Sequence, residues 1–172
     1  LLSWRRPIVL LKQKRRLAAD INPDMQTLGC MLPYMPLHYD WFAALGTPAL
    51  VMTSGNLSDR PIAITPAEAE EQLSGKVVLL LHHNRDIHNR VDDSVLQVCG
   101  DQPCLIRRSR GYVPEPFFAD VPVEGIWAFG AEKVNTFALG KGDTVLQSQY
   151  IGDLKNWETF SFYTESLERF RH

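Results

Sequence analysis

The apolar run Ala49-Leu-Val-Met52 breaks without transition into Thr53-Ser54-Gly55-Asn56-Leu57-Ser58. A run of that length is strand-sized, and one that stops in small hydroxyl, amide and glycine residues delivers a polar loop to the edge of a sheet. In open α/β sheets the carboxyl ends of strands are where ligands sit. Glycine lets a backbone come close, and Ser and Asn side chains can donate to phosphate or ribose oxygens. The same residues also build ordinary turns, and taken alone the loop is more economically read as one. The rest of the chain decides between the two.

Arg6-Pro7 leads into an apolar stretch at 8–11 that reads as a strand. Lys12, Lys14, Arg15 and Arg16 follow, either a solvated face or a source of phosphate-directed charge. Asn22-Pro23-Asp24 marks a turn, and residues 28–32 read as a second strand ending at Pro33. Pro36 opens a helix over 37–45 closed by Gly46, with Leu37, Trp41, Ala44 and Leu45 patterned on one face for a core. Thr65-Pro66-Ala67-Glu68 places a cap residue, a first-position proline and a third-position glutamate together, which predicts a helix ending near Ser74-Gly75. Residues 76–81 do not alternate and read as a strand buried on both faces. Strand, strand, helix, strand, helix, strand is the order of an α/β sheet with crossovers.

Residues 82–94 are almost wholly polar, and a hairpin over 95–99 and 104–106 opens into Arg107-Arg108-Ser109-Arg110-Gly111-Tyr112. Arginines around a Ser and a Gly at a strand end suit an oxyanion clamp or, equally, an exposed basic turn. No metal site is expected from His82, His83 and His88, because adjacent histidines diverge on a strand and no carboxylate or cysteine pattern completes a set. The 3 cysteines, Cys30, Cys99 and Cys104, are odd in number and lack metal-ligand spacing. Cys99 and Cys104 could face each other across the hairpin, with reduced thiols the expected state. A net charge of −2 excludes a global basic field for nucleic acid, so any anion site is local. With 45% apolar and 22% charged residues the chain is globular, not disordered, and no apolar run is long enough to span a bilayer. No signal-peptide pattern opens it, and Leu1 in place of Met points to an excised or incomplete chain.

Pro114, Pro116 and Pro122 mark a linker, after which the pattern starts afresh. Residues 125–129 read as a strand ending in Gly130-Ala131-Glu132, and 136–139 with 144–149 as a hairpin turned at Gly140-Lys-Gly-Asp143. Tyr150-Ile-Gly-Asp-Leu154 then leads into a helix over about 156–170. So few residues are not expected to enclose a core, and they read as the opening of a second domain.

The chain resembles the HypF carbamoyltransferases of [NiFe]-hydrogenase maturation. The matching segments are Arg6-Pro-Ile-Val-Leu-Leu11, Gly29-Cys-Met-Leu-Pro-Tyr-Met-Pro-Leu-His38, Leu50-Val-Met-Thr-Ser-Gly-Asn-Leu-Ser58 and His88-Asn-Arg-Val-Asp-Asp-Ser-Val95. Arg107-Arg-Ser-Arg-Gly-Tyr-Val-Pro-Glu-Pro116, Gly130-Ala-Glu-Lys-Val-Asn-Thr-Phe137 and Ser148-Gln-Tyr-Ile-Gly-Asp-Leu154 continue the match in order, essentially end to end. The resemblance implies a mixed, twisted α/β fold: the latter part of a YrdC-like nucleotide-binding domain over 1–116, a linker over 117–122, and over 123–172 the first strands and hairpin of a carbamoyl-transfer domain of the actin/RNase-H-like and sugar-kinase superfamily. It also implies that an acylphosphatase domain, a zinc-finger pair, the first half of the YrdC-like domain and a distal histidine motif lie outside this chain. Asp59 and Arg60 stand where the family more usually has a Gly and a variable residue, and Met35 and His38 fall in a variable stretch with no assigned weight.

By the same resemblance the protein is an enzyme that uses magnesium-dependent ATP and carbamoyl phosphate or carbamate to form a carbamoyl adenylate. It passes the carbamoyl group to the C-terminal cysteine of a partner, HypE, for synthesis of iron cyanide ligands. A cytoplasmic location, no membrane, zinc in the full-length parent only, and inactivity of this piece alone are expected with it. Ser54 and Asn56 would bond phosphate and ribose, with Gly55 admitting the backbone and Ser58 supporting the loop. Asp93 and Ser94 would position ribose or a metal-associated phosphate, and Arg108 and Arg110 would balance charge as pyrophosphate leaves. Asn135 and Asp153 would stand at the mouth of a second nucleotide cleft. A threonylcarbamoyl-AMP synthase of tRNA modification is the alternative, but it would not continue into Gly130-Ala-Glu and Ser148-Gln-Tyr-Ile-Gly-Asp153. A double-stranded RNA module is a further rival; the negative charge and the lack of aromatics interleaved on a basic face argue against it.

Overall fold

The computed structural model describes residues 1–15, 17, 18 and 20–171; Arg16 of the basic run, Ala19 and His172 lie outside the described residues. The fold is mixed α/β with two separate sheets. The chain divides into two compact units, Leu1–Met52 with Asp93–Tyr112, and Thr53–Asp92 with Val113–His172. No helix among the described residues is long and apolar enough to cross a membrane.

In the first unit β1 (Ile8–Lys12), β2 (Thr27–Cys30), β3 (Val95–Cys99) and β4 (Gln102–Arg107) form one sheet in the order β2-β1-β3-β4. β1 is antiparallel to β2 and parallel to β3, and β3 turns through Gly100-Asp101 into antiparallel β4. Gly100 adopts φ 62°, the left-handed conformation that two-residue hairpin loops demand. The central register pair Val9↔Leu96 supplies the buried apolar contact of this sheet. The expected hairpin is present. Its register sets Gln97 opposite Cys104 and Cys99 opposite Gln102, and the cysteines are free and exposed. A hydrogen bond with Cys104 pushes the Cys99 thiol above its ordinary value.

Helix α1 (Pro36–Leu45) starts on Pro36 and ends at Gly46, whose φ of 60° lets its N–H reach the Phe42 carbonyl at 3.0 Å. The apolar face predicted for it is not a core face. Trp41, Ala44 and Leu45 are exposed, Leu37 is half-buried, and the one buried side chain of the helix is His38. Periodicity identifies the face that would be covered, not the element that covers it. Residues 49–52 and 76–81 also depart from expectation. Neither is a strand among the described residues, and Val51, Val78 and Leu79 are largely exposed. Strand character needs a neighbour to take up backbone N–H and C=O groups, and these runs have none among the described residues.

In the second unit β5 (Phe117–Phe118), β6 (Trp127–Ala128), β7 (Ala138–Lys141) and β8 (Thr144–Gln147) form an antiparallel sheet in the order β5-β8-β7-β6. β5 falls within the proline-marked stretch, where a two-residue strand leaves no periodic trace. Helix α2 (Pro66–Leu73) is capped by the Thr65 hydroxyl accepting from the Glu68 N–H at 3.1 Å. The Glu68 carboxylate accepts from the Ile64 N–H at 2.9 Å, a capping box displaced by one residue. α3 (Trp157–Phe170) is capped by Asn156, whose side chain accepts from the Thr159 N–H at 2.8 Å.

Contrary to expectation, these elements do enclose a core. Phe137, Ile151 and Phe162 are buried together, with Trp127, Leu154, Tyr163, Leu167 and Phe170 packed around them. Phe137 meets Phe170 edge-on at 4.9 Å and Tyr163 at 5.8 Å between ring centroids. α3 makes this work by presenting one aromatic face to the hairpin.

Candidate functional site

The residues singled out in the sequence divide between the units. Ser54, Gly55, Asn56, Ser58, Asn135 and Asp153 belong to the second unit, while Asp93, Ser94, Arg108 and Arg110 belong to the first.

The loop after residue 53 is closed by its own backbone. The Asn56 N–H donates to the Ser54 carbonyl at 3.1 Å and the Ala63 N–H to the Gly55 carbonyl at 3.2 Å. The Asn56 amide group donates to the carbonyls of Leu57 and Arg60 at 3.0 and 2.7 Å. Its Oδ1 is buried and has no partner among the described residues. Turning the amide over would set oxygen against two carbonyls, so this orientation is dictated by the loop. Asn56 therefore offers an acceptor, suited to a ribose hydroxyl, an amino group or a metal-bound water, and spends its donors on loop shape. The Ser54 and Ser58 hydroxyls are exposed and make no hydrogen bond among the described residues, and a Cβ on Gly55 would meet only open space. The donors facing outward are thus Ser54 and Ser58.

In the first unit Asp93 and Ser94 open β3 beside the arginine cluster. Ser94 is fully buried; its Oγ donates to the Arg110 carbonyl at 2.9 Å and accepts from the Ser109 N–H at 2.8 Å. It pins two chain segments together. Arg107 Nε donates to the Asp93 carbonyl at 2.8 Å, and Arg108 is half-buried nearby in sequence. Arg110 is the hub: Nε donates to Asp93 Oδ1 at 2.6 Å, Nη1 to the Arg5 carbonyl at 3.2 Å, and Nη2 to the Arg6 carbonyl at 2.8 Å and Met31 Sδ at 3.3 Å. Its guanidinium lies 3.7 Å from the centroid of the Tyr34 ring. Asp93 and Arg110 are thus brought together, as a clamp that fixes the entry to β1.

Gly111 lets this happen. At φ 83° it runs so close to Arg5 that a Cβ would sit 3.0 Å from the Arg5 carbonyl oxygen, while Arg5 Nε donates to the Gly111 carbonyl at 2.8 Å. Tyr34 and His38 were assigned no role from sequence, yet their rings meet edge-on at 4.7 Å beneath this cluster. Burial, and then the Asp93 carboxylate, push the Tyr34 phenol above its ordinary value, with Arg110 opposing. The spacing of Tyr34 and His38 across a helix start was the available signal.

Asn135 and Asp153 hold one loop between them. Asp153 Oδ1 accepts from the Val134 N–H at 2.8 Å, and Asn135 pairs with Gly152 through backbone bonds. The buried Asn135 amide donates to the Phe129 and Ala131 carbonyls at 3.0 and 2.6 Å, leaving its Oδ1 without a partner among the described residues. Val134 sits at φ 54°, strained for a β-branched residue, and Gly130 at φ 74° passes so near Thr136 that a Cβ would lie 2.1 Å from its carbonyl oxygen. A strained, polar-stapled loop with a free acceptor is the kind of backbone that ligands approach. Among the described residues no three of His, Cys, Asp and Glu gather to hold a metal ion.

The family model described as telomere recombination, covering Sua5, YciO and YrdC, matches residues 2–109, and the HypF Kae1-like domain matches residues 122–172. The chain is 37% identical over 171 residues to a probable carbamoyltransferase HypF of Methanocaldococcus jannaschii, spanning 97% of this chain and 22% of that protein. It is 41% identical over 162 residues to carbamoyltransferase HypF of Rhodobacter capsulatus, spanning 90% and 21%. Among solved structures, full-length HypF in a phosphate- and nucleotide-bound form superposes with a TM-score of 0.91 at 44% identity over 99% of this chain and 27% of that one. HypF of T. kodakarensis superposes at 0.93 with 40% identity over 99% and 22%. The chain therefore spans about a quarter or less of the length of these relatives.

Proposed function

The chain belongs to the HypF carbamoyltransferase family, and from that premise we propose that it contributes to ATP-dependent formation of a carbamoyl adenylate and transfer of the carbamoyl group to a protein thiol. In this reading water hydrolyses carbamoyl phosphate to carbamate and inorganic phosphate, and a carbamate oxygen attacks the α-phosphorus of ATP as pyrophosphate departs. The thiolate of the acceptor, the C-terminal cysteine of HypE, then attacks the carbamoyl carbon and AMP leaves. The product thiocarboxamide is the precursor of an iron cyanide ligand, and the cytoplasm is where the partners meet.

The observation that carries the reading is the likeness, at 44% identity, to a HypF structure that holds phosphate and nucleotide. Adenylation needs alignment and charge stabilisation more than a side-chain nucleophile. The Ser54 and Ser58 hydroxyls would donate to phosphate oxygens, and Asn56 Oδ1 would accept from a ribose hydroxyl. Bound magnesium would neutralise phosphate charge. Arg108 supplies positive charge as pyrophosphate departs, and Arg110 contributes by orienting Asp93. Asn135 and Asp153 shape the loop of a second nucleotide cleft, in the carbamoyl-transfer domain. The match over residues 122–172 favours this reading over a tRNA threonylcarbamoyl-AMP synthase.

Asn56→Ala in the intact protein is expected to abolish carbamoyl-dependent ATP–pyrophosphate exchange. Exchange at the parent rate would remove the loop from the reaction.

A further inference from the structure

Arg90 receives no role in the reading above, yet its side chain meets four residues of the second unit. Its Nε donates to the Ile62 carbonyl at 3.0 Å, and Nη2 to both oxygens of Glu68 at 3.2 and 3.3 Å. Nη1 lies 3.6 Å from Glu165 Oε2 on α3, and the guanidinium stands 5.6 Å over the ring of Phe162. The Arg90 side chain is 15% exposed, against 40% for Arg60 in its pair with Glu158, while its partners Glu68 and Glu165 are 35% and 49% exposed. One planar fork thus touches the chain before α2, the first turn of α2, and α3. A lysine could not reproduce that geometry.

The contacts continue on both sides. Towards the loop, the Leu57 N–H donates to Gln72 Oε1 at 3.3 Å, and Arg60 and Ala63 carry the bonds that close Gly55 and Asn56. α2 buries no side chain completely, and Glu68 and Gln72 tie it to its surroundings through polar contacts. Towards the other end, Phe162 is part of the core with Phe137 and Ile151, next to Asn135 and Gly152. Asn156 adds a second tie, capping α3 with its oxygen while its amide donates to the Asp59 carbonyl. Arg169 adds a third, donating to Asn89 Oδ1 at 2.6 Å.

We propose that Arg90 is a positioning residue that fixes the 54–58 loop to α3, so that the adenylating loop and the carbamoyl-transfer domain are held in one register. This rests on the proposed role of that loop. The physical basis is direct: Ile62 and Glu68 sit on the loop side, Glu165 and Phe162 on the α3 side, and a single cation satisfies them all. Removing it takes from Glu68 its arginine partner and leaves Glu165 with Arg169 alone, at 3.8 Å.

The test compares Arg90→Lys, Arg90→Met, Glu165→Gln and the Arg90→Met/Glu165→Gln double variant in the intact protein. Each is read by ATP–pyrophosphate exchange, with KM for ATP separated from kcat, and by hydrogen exchange at the Asn56 and Ala63 amides. Both Arg90 variants are expected to raise KM about tenfold and to speed exchange of those two amides by a similar factor, with kcat changed less than about twofold. Glu165→Gln, a change on a half-exposed side chain that leaves the fold in place, moves both readouts the same way by about threefold. The double variant matches Arg90→Met alone, because the contact is already gone. Unchanged amide exchange in Arg90→Lys and Glu165→Gln, or additive effects in the double variant, would overturn the proposal. A parent protein without ATP–pyrophosphate exchange would strike at the loop's assigned chemistry, while the amide readout would still judge the Arg90 contact.

Discussion

Replacing Arg110 by lysine separates a charge role from a geometric one. Lysine keeps the positive charge near Asp93 but cannot also reach the Arg5 and Arg6 carbonyls, which Arg110 holds at 3.2 and 2.8 Å, or lie flat over Tyr34 at 3.7 Å. Hydrogen bonds from a charged donor contribute about 1.5–3 kcal/mol each, and the ring contact about 1 kcal/mol. Arg110 is 23% exposed, so water repairs part of the loss, and about 2–3 kcal/mol is expected in total. Arg110→Met also strands the Asp93 carboxylate, 25% exposed, and should cost about 1 kcal/mol more. Adding Asp93→Asn to Arg110→Met should recover about that extra amount, because the stranded charge is gone. Urea unfolding of the intact protein, followed through Trp4 and Trp41 of the first unit, reads these costs as a lower midpoint at unchanged slope. Arg110→Lys within about 0.5 kcal/mol of the parent would refute the clamp and return Arg110 to the role of a plain phosphate counter-charge.

Phe137→Ala, at a side chain 1% exposed and ringed by aromatics, should cost about 3–5 kcal/mol in the second unit by urea unfolding; less than about 1 kcal/mol would mean the core is not closed. The raised Tyr34 phenol implies stability fully present below its ordinary value of 10.0 and lost as pH rises through the higher folded value. Tyr34→Phe should flatten that alkaline loss, leaving the share due to Tyr163, which burial also raises; an unaltered pH profile would contradict the assignment. Gly130→Ala places a methyl against the Thr136 carbonyl oxygen in a left-handed conformation, so nucleotide binding at the proposed second cleft of the intact protein should fall by at least about tenfold in equilibrium dialysis, and full binding would show that the loop tolerates rearrangement.

Local chemistry was the legible part of this chain. Thr65-Pro66-Ala67-Glu68 and Asn156 specify helix starts through their own side chains, and Gly142-Asp143 specifies a turn through backbone freedom, so each could be read without knowing its neighbours. The apolar runs at 49–52 and 76–81 have the pattern of strands without being strands, because an apolar run only declares a capacity to pair, and the partner is a property of the surroundings. The same limit hid the packing of Thr53–Asp92 with Val113–His172, in which Arg90 reaches Glu165 across the intervening chain. In the candidate site, residue types pointed to Asn56 and Arg110 as polar groups of interest. Which of their atoms are already spent on backbone carbonyls is set by three-dimensional closure, and no residue spacing encodes it.

The parallel pairing of β1 with β3 has a consequence for how such a chain is made. Ile8 leaves the ribosome long before Val95, its partner across the sheet, and all of Thr53–Asp92 emerges in between. For that interval β1 is without β3, and the edge that β3 will occupy stays open to other strands. Sheets that close over such distances along the chain form late and are prone to joining the wrong partner while they wait. The Arg110 clamp, contributed by residues synthesised after β3, is then the bolt that can slide home only once the right strand has arrived.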